Sequence, residues 1–198
     1  MPEILRRKEE EAGIFFVSRE PTSRRETVMV HLSLEVSVRQ RIETARILAP
    51  LGIEVWGPDE WKAVTEPGVR WRGPADFAKD LPRIASGSKI NLNVPKCHAL
   101  DAVNPRVFEV MACGGFLMTS PFEEGILPFV DGEDIVVFRS REELREKAAY
   151  YLTHDDERRR IAESGMKKTR AAHGFAHRAR RIAEVLAADG RLKPSTSA

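Results

Sequence analysis

Apolar residues fall in short runs along the chain, and the period of those runs changes in a regular order. Over residues 27–34, TVMVHLSL is β-branched and apolar, which predicts a buried strand. VSVRQRIETARILAPLG follows, with Val38, Ile42, Ala45 and Leu48 at helical spacing and Gly52 placed as a C-cap. IEVWGP reads as a second strand, stopped by Gly57-Pro58, and EPGVRWRGPAD as turn, strand and turn. DFAKDLPRIASGS is a weaker helix interrupted at Pro82, and KINLNV alternates like a strand. NPRVFEVMACGG is a helix, FLMTS a strand, EEGILPFV a short helix or turn, and DIVVFRS a strand. From Arg141 to Asp189 the pattern is helical and heavily charged, with breaks near His154-Asp155 and His173-Gly174. Ahead of Thr27, GIFFVS is a stray strand candidate and REPTSRRE a linker.

Strands that alternate with helices at this spacing specify an α/β fold with a parallel sheet and right-handed crossovers. The expected organisation is an N-terminal extension over 1–26, a single domain over 27–190, and a polar, frayed tail over 191–198. In such sheets ligands sit beyond the carboxyl ends of the strands. The loops after KINLNV and FLMTS are therefore where chemistry is expected.

Composition narrows the class. The 198 residues are 42% hydrophobic and 31% charged, the balance of a soluble globular domain. Lys plus Arg is 32 against 30 Asp plus Glu, a net charge of +2, so nothing in the overall charge argues for a nucleic-acid partner. Two cysteines make no disulfide framework. No apolar run is long enough to cross a bilayer, and the N-terminus shows no export signal. These features lead us to expect a cytoplasmic protein. Neither a P-loop nor a G-x-G-x-x-G run is present, which argues against an ATPase or a dehydrogenase.

One stretch carries candidate chemistry: NPRVFEVMACGGFLMTS, residues 104–120. Asn104 suits an N-cap and Pro105 the first helical position. The free N–H groups of that turn favour an anion. Arg106 opposes the helix dipole there, a poor choice for stability alone and a sensible one if an anion such as a diphosphate lies between. Gly114-Gly115 ends the helix and returns the chain to FLMTS. Glu109 has two open readings. Among Val107, Val110, Met111 and Cys113 it is either a carboxylate needing donors, such as sugar hydroxyls, or a residue on the one exposed edge of the helix. Asp101 stands eight residues earlier, and two acids straddling a helix N-terminus can grip a polyol.

Other features have plainer readings. The basic runs ERRR, KKTR and HRARR carry interleaved acids and no aromatics, so they read as solvated helix faces, with Ile161, Phe175, Ile182, Val185 and Leu186 on the buried side. His173 and His177 lie four apart but lack a third ligand, so no metal is expected. Cys97-His98 has no supporting base, and a packed or loop cysteine is the default. Trp56, Trp61 and Trp71 read first as core, with nucleobase stacking as the alternative.

The run 104–120, with ERRRIAESG and the later His173, resembles the C-terminal region of CgeB-like glycosyltransferases. That resemblance covers residues 27–187 and implies the donor-binding, Rossmann-like half of a two-domain GT-B fold, a three-layer parallel sheet followed by C-terminal helices. It implies a nucleotide diphosphate sugar as donor substrate, no cofactor or metal, and retention at the transferred sugar. Glu109 matches the second acid of the family's acid-x7-acid pair, which holds the ribose. Asp101 stands where the first Glu falls, near the donor sugar, and is Asp instead. Asn104 and Arg106 match an N-x-R at the phosphates, with Arg106 assisting the leaving diphosphate. Arg39, after the first expected strand, matches a basic residue on the diphosphate. The family's acceptor domain has no counterpart in the 26 residues before Thr27. A partner chain or a second copy completing the cleft is thus one expectation, and a nucleotide-sugar-binding module inactive alone is the alternative to a complete enzyme.

Overall fold

The computed structural model describes residues 22–96, 102–189 and 191. The GIFFVS segment, the Cys97-His98 pair, Asp101 and the tail from 192 lie outside the described residues. The described residues open with α1 (Thr22–Leu48) and a 3-10 turn (Ala49–Leu51), then β1 (Ile53–Trp56), a second 3-10 turn (Asp59–Ala63) and β2 (Val69–Gly73). Next come α2 (Leu81–Gly87), β3 (Asn91–Asn93), α3 (Pro105–Ala112), β4 (Leu117–Thr119) and β5 (Val136–Val137). Three helices end the fold: α4 (Arg141–Thr153), α5 (Asp155–Ala172) and α6 (Phe175–Ala188). All strand pairs are parallel, β1 with β2 in one sheet and β3-β4-β5 in the other. The fold is α/β and Rossmann-like, as the alternation of periods predicts.

Strand alternation builds the layers. Phe116, Met118, Val136 and Phe138 point to one side and pack with Leu48, Leu144, Tyr151 and Ile161 of α1, α4 and α5. Leu117 and Ile135 point to the other side and pack with Ala85 of α2 and Val107, Val110 and Met111 of α3. Consecutive residues of one strand thus feed opposite cores, which is why these strands read as unbroken apolar runs.

Three expectations are corrected. Residues 27–34 are helical rather than a strand. The segment continues a single helix whose later turns are anchored by the buried Ser37, Ala45 and Leu48, and within it Ser33 Oγ donates to Val30 O (2.8 Å), Ser37 Oγ donates to Ser33 O (2.6 Å), and His31 Nδ1 lies 2.7 Å from Thr27 O. Their cost is exposure, with Val30 at 55%, Leu32 at 46% and Leu34 at 41%. Pro82 opens α2 instead of interrupting it, because a first-turn proline forfeits no helical hydrogen bond. Third, Phe175, Ile182 and Val185 of α6 are exposed, Phe175 at 90%, while Ile161 is fully buried as expected.

One buried charge ties the C-terminal helices to the sheet. Asp134, just before β5, accepts from Val130 N–H (3.0 Å), Ser164 Oγ (2.7 Å) and Lys168 Nζ (2.7 Å), and its side chain is 7% exposed. Burial alone would raise its carboxyl above the ordinary 3.8, but Lys168, the Val130 amide and Ser164 outweigh burial and hold it below. The folded value is the depressed one, so this stabilisation is complete above the unfolded value and drains away as pH falls through the folded value. Asp134→Ala is expected to cost about 2 kcal/mol, or ~4–8 °C in Tm, and to flatten the acid limb of the stability curve below pH ~4. Thermal melts from pH 3 to pH 7 check both, and an unchanged acid limb refutes the assignment.

Candidate functional site

The carboxyl ends of β3 and β4 meet the start of α3, and a chain of side chains joins them. Asn93, the last residue of β3, is buried and donates from Nδ2 to Thr119 Oγ1 at 3.0 Å. Thr119 donates on to the Ser120 carbonyl (3.0 Å). Asn93 Oδ1 accepts from Asn104 Nδ2 at 3.0 Å. The cap residue of α3 is therefore held by the end of β3 rather than by its own helix.

This diversion has a consequence for charge. Asn104 has the extended backbone of an N-cap, yet its side chain makes no capping bond, and Pro105 follows it. The first-turn amides of α3 thus lack the side-chain acceptor that usually offsets the dipole's positive end. Asn104 Oδ1 is buried and finds no hydrogen-bond partner among the described residues. Arg106 Nη1 lies 3.4 Å from Glu109 Oε2, one turn along the same face. The Arg106 side chain is half-exposed, its guanidinium 5.9 Å from the Phe77 ring centre, and it lines a cleft of about 920 Å³.

Glu109 fits neither sequence reading cleanly. Its side chain is 21% exposed, so it is neither a buried acid nor a free edge residue, and Arg106 is its ionic neighbour. The opposite face of α3, Val107, Val110 and Met111, is buried. At the far end, Gly114 has φ +77°. A Cβ on Gly115 would come within 2.8 Å of Ala85 O and Val110 Cγ1 and 2.9 Å of Asn91 Nδ2, so the return into β4 has no room for a side chain.

The structure thus brings Asn104, Arg106 and Glu109 together at one helix end. Arg39 is not placed by the structure as expected, because the strand it was to follow is helix; it sits on α1 in an exposed pair with Glu35 (2.8 Å). Asn93 and Thr119 were not foreseen. The available signal was the polar alternation of KINLNV, which puts Asn91 and Asn93 on one side of a strand otherwise apolar. Of the tryptophans, Trp71 is pinned by Nε1 donating to Gly57 O (3.0 Å), while Trp56 and Trp61 line the cleft.

His173 stands both in a four-residue spacing with His177 and in the family resemblance. It closes an aromatic cluster with Phe108 of α3 (5.2 Å) and Phe129 (5.3 Å), and the Arg178 guanidinium lies 4.3 Å from the Phe108 ring centre. The junction of α5 and α6 is thereby pressed against the helix that carries Arg106 and Glu109. Among the described residues no group of three or more His, Cys, Asp or Glu is placed to hold a metal ion. No helix among them is long and apolar enough to cross a membrane.

Comparison with known proteins supplies a family. Residues 37–184 match a family model described as glycosyl transferase-like. The fold is similar to the crystal structure of Anabaena HepE in complex with UDP-glucose, with a TM-score of 0.53 and 14% identity over 65% of this chain. The chain spans 35% of the length of that protein. No curated protein sequence matches it.

Burial, with Arg178, Lys168 and His177 nearby, holds the His173 ring below its ordinary 6.5. The folded value is the depressed one, so the contact with Phe108 is at full strength above pH ~6.5 and weakens as pH falls through the folded value. His173→Gln is expected to remove that component of the pH dependence of Tm between pH 7 and pH 5. An unchanged slope rules out His173 as its source.

Proposed function

Since the chain belongs to the glycosyl transferase-like family, we propose that it is the donor-binding domain of a glycosyltransferase. The donor is a nucleotide diphosphate sugar, whose sugar passes to an acceptor. One observation carries the reading: the start of α3, where the cap side chain is drawn away to Asn93 and a half-exposed arginine stands at the positive end of the helix. A diphosphate is the anion that uses both the Arg106 amide, which has no cap acceptor, and the Arg106 guanidinium. UDP-glucose in the similar HepE structure is a donor of this class.

In the proposed reaction the bond between the anomeric carbon and the diphosphate oxygen breaks, and its electron pair stays on the nucleoside diphosphate. The acceptor atom forms the new bond and passes its proton to the departing diphosphate, with retention at the sugar, as the resemblance to CgeB-like enzymes implies. The Arg106 amide and guanidinium, at the positive end of α3, stabilise the negative charge that grows on the leaving group. In this scheme they do the work for which other enzymes use a metal ion. Glu109 accepts from the ribose hydroxyls, and binding swings Arg106 from Glu109 to the phosphates. Asp101 orients the sugar, and Arg39 adds a second cation for the diphosphate.

A second reading is a nucleotide-sugar-binding module that works only with a partner chain or a second copy. The exposed apolar face of α6, with Phe175, Ile182 and Val185, favours it, because such a face is what a docking partner would cover.

Calorimetric titration with UDP, GDP and UDP-glucose tests the donor site. One of these is expected to bind, and Arg106→Ala and Glu109→Ala each to weaken binding about tenfold, ~1.4 kcal/mol. A chain that binds none of the three sinks the proposal, and binding untouched by Glu109→Ala removes the ribose role alone. Release of glucose from UDP-glucose by this chain alone counts against the inactive-module reading.

A further inference from the structure

The apolar side of α6 is turned away from the protein. Phe175, Ala179, Ile182 and Leu186 fall at i, i+4, i+7 and i+11, one stripe along the 14-residue helix, with Val185 beside it. His177, Arg180, Arg181 and Glu184 take the opposite side. A surface helix ordinarily lays its stripe on the core. Here Phe175 is 90% and Ile182 60% exposed, no residue of the helix is fully buried, and of the stripe only Leu186 is partly covered. Polar side chains of the first turn meet the body instead. The Arg178 guanidinium lies over Phe108, and His177 is partly buried, its Nδ1 enclosed without a hydrogen-bond partner among the described residues.

This inversion separates one basic run from the other two. ERRR and KKTR belong to α5, whose apolar side is buried at Ile161 and Ala162. HRARR belongs to α6, whose apolar side is open. An isolated helix of this length is marginal in water, and a contiguous apolar face left open on it marks a surface that something covers. Charge selects what covers it. The helix carries three arginines, Arg178, Arg180 and Arg181, against one acid, Glu184, which Arg181 already faces at 3.4 Å. The segment RLKPSTSA beyond it adds Arg191 and Lys193 and no acid. Two such helices laid stripe to stripe bring like charges together along the seam, which disfavours a second copy. An anionic surface matches the arginines and the stripe at once.

We propose that α6 is an interfacial helix that lies in the plane of a membrane surface rich in anionic lipid. Phe175, Ile182 and Val185 enter the boundary between headgroups and acyl chains, where their exposed area leaves water. Arg180 and Arg181, both exposed, run their apolar stems along that boundary and place their guanidinium groups at the headgroup phosphates. The helix adsorbs and does not span, being far shorter than a bilayer crossing requires. Its attachment to the body through Arg178 and Phe108 lies on the side away from Phe175, so adsorption leaves that contact in place. The proposal is independent of the donor site, and on this face lipid takes the place of a partner chain.

Cosedimentation of the full chain with lipid vesicles tests it. Vesicles of equal parts phosphatidylglycerol and phosphatidylcholine are expected to bind the chain about tenfold or more tightly than phosphatidylcholine alone, and added salt to weaken that binding. Phe175→Asp is expected to weaken it about tenfold or more, as is the joint change Arg180→Glu and Arg181→Glu. Leu32→Asp, at an exposed apolar position of α1, is expected to leave it unchanged. Phe175 touches little of the fold, so Phe175→Asp keeps Tm within ~2 °C of the parent and separates lost binding from lost structure. A chain that ignores the anionic vesicles overturns the proposal, as does equal binding to phosphatidylcholine alone or binding that survives both changes on α6. A dimer in light scattering that Phe175→Asp dissolves, with no binding to vesicles, overturns it too and assigns the stripe to a second copy.

Discussion

The hydrogen bond from Asn104 to Asn93 fixes the relation between sheet and site. It joins the cap of α3 to the last residue of β3, and Asn93 is itself held to β4 through Thr119. In a parallel sheet the strand ends and helix starts share one edge, but that rule leaves the spacing between them free. Here a buried amide sets it. The same bond removes the usual cap from the helix, so the element that positions α3 also leaves its positive end available. Placement and chemistry have one cause.

The rest of the domain supports that helix from behind. Val107, Val110 and Met111 lie in the core shared with Leu117 and Ile135. Ser164 and Lys168 of α5 close on Asp134 at the start of β5. Phe108 meets His173 where α5 gives way to α6. The Arg170 guanidinium reaches across to the carbonyl of Ala112 (2.8 Å), adding a cation at the negative end of α3. Thus α3 is gripped at its start by the sheet, along one face by the core, and at its finish by α5, which leaves Arg106 and Glu109 on the face that is not packed.

The sequence shows most of this where pattern and burial agree. The runs FLMTS and DIVVFRS contain β4 and β5, and the breaks at His154 and His173 fall where α4, α5 and α6 meet. The start of α3 was legible from Asn104-Pro105, because cap and proline signals are local. Two features were not. The pattern at 27–34 reports side chains that suit a strand, while Ser33, Ser37 and His31 bond back along a helix, and propensity alone does not rank the two. The role of Asn93 depends on a partner eleven residues later, folded back from a different element, and no periodicity reports such a contact. The roles of Asp101 and Arg39 rest on family resemblance and not on geometry.

The double glycine at the end of α3 has a mechanical meaning. With Ala85 O and Asn91 Nδ2 leaving no room for a Cβ at Gly115, the turn into β4 has no slack. A helix joined to its sheet by a loose loop can tilt and leave the sheet at rest. This one is hinged at neither end, since Asn104 is tied to β3 at one and Gly115 lies flush at the other. A ligand that pulls on the first turn of α3 therefore loads β3 and β4 together, and its arrival is felt as a stiffening of the sheet rather than a swing of the helix.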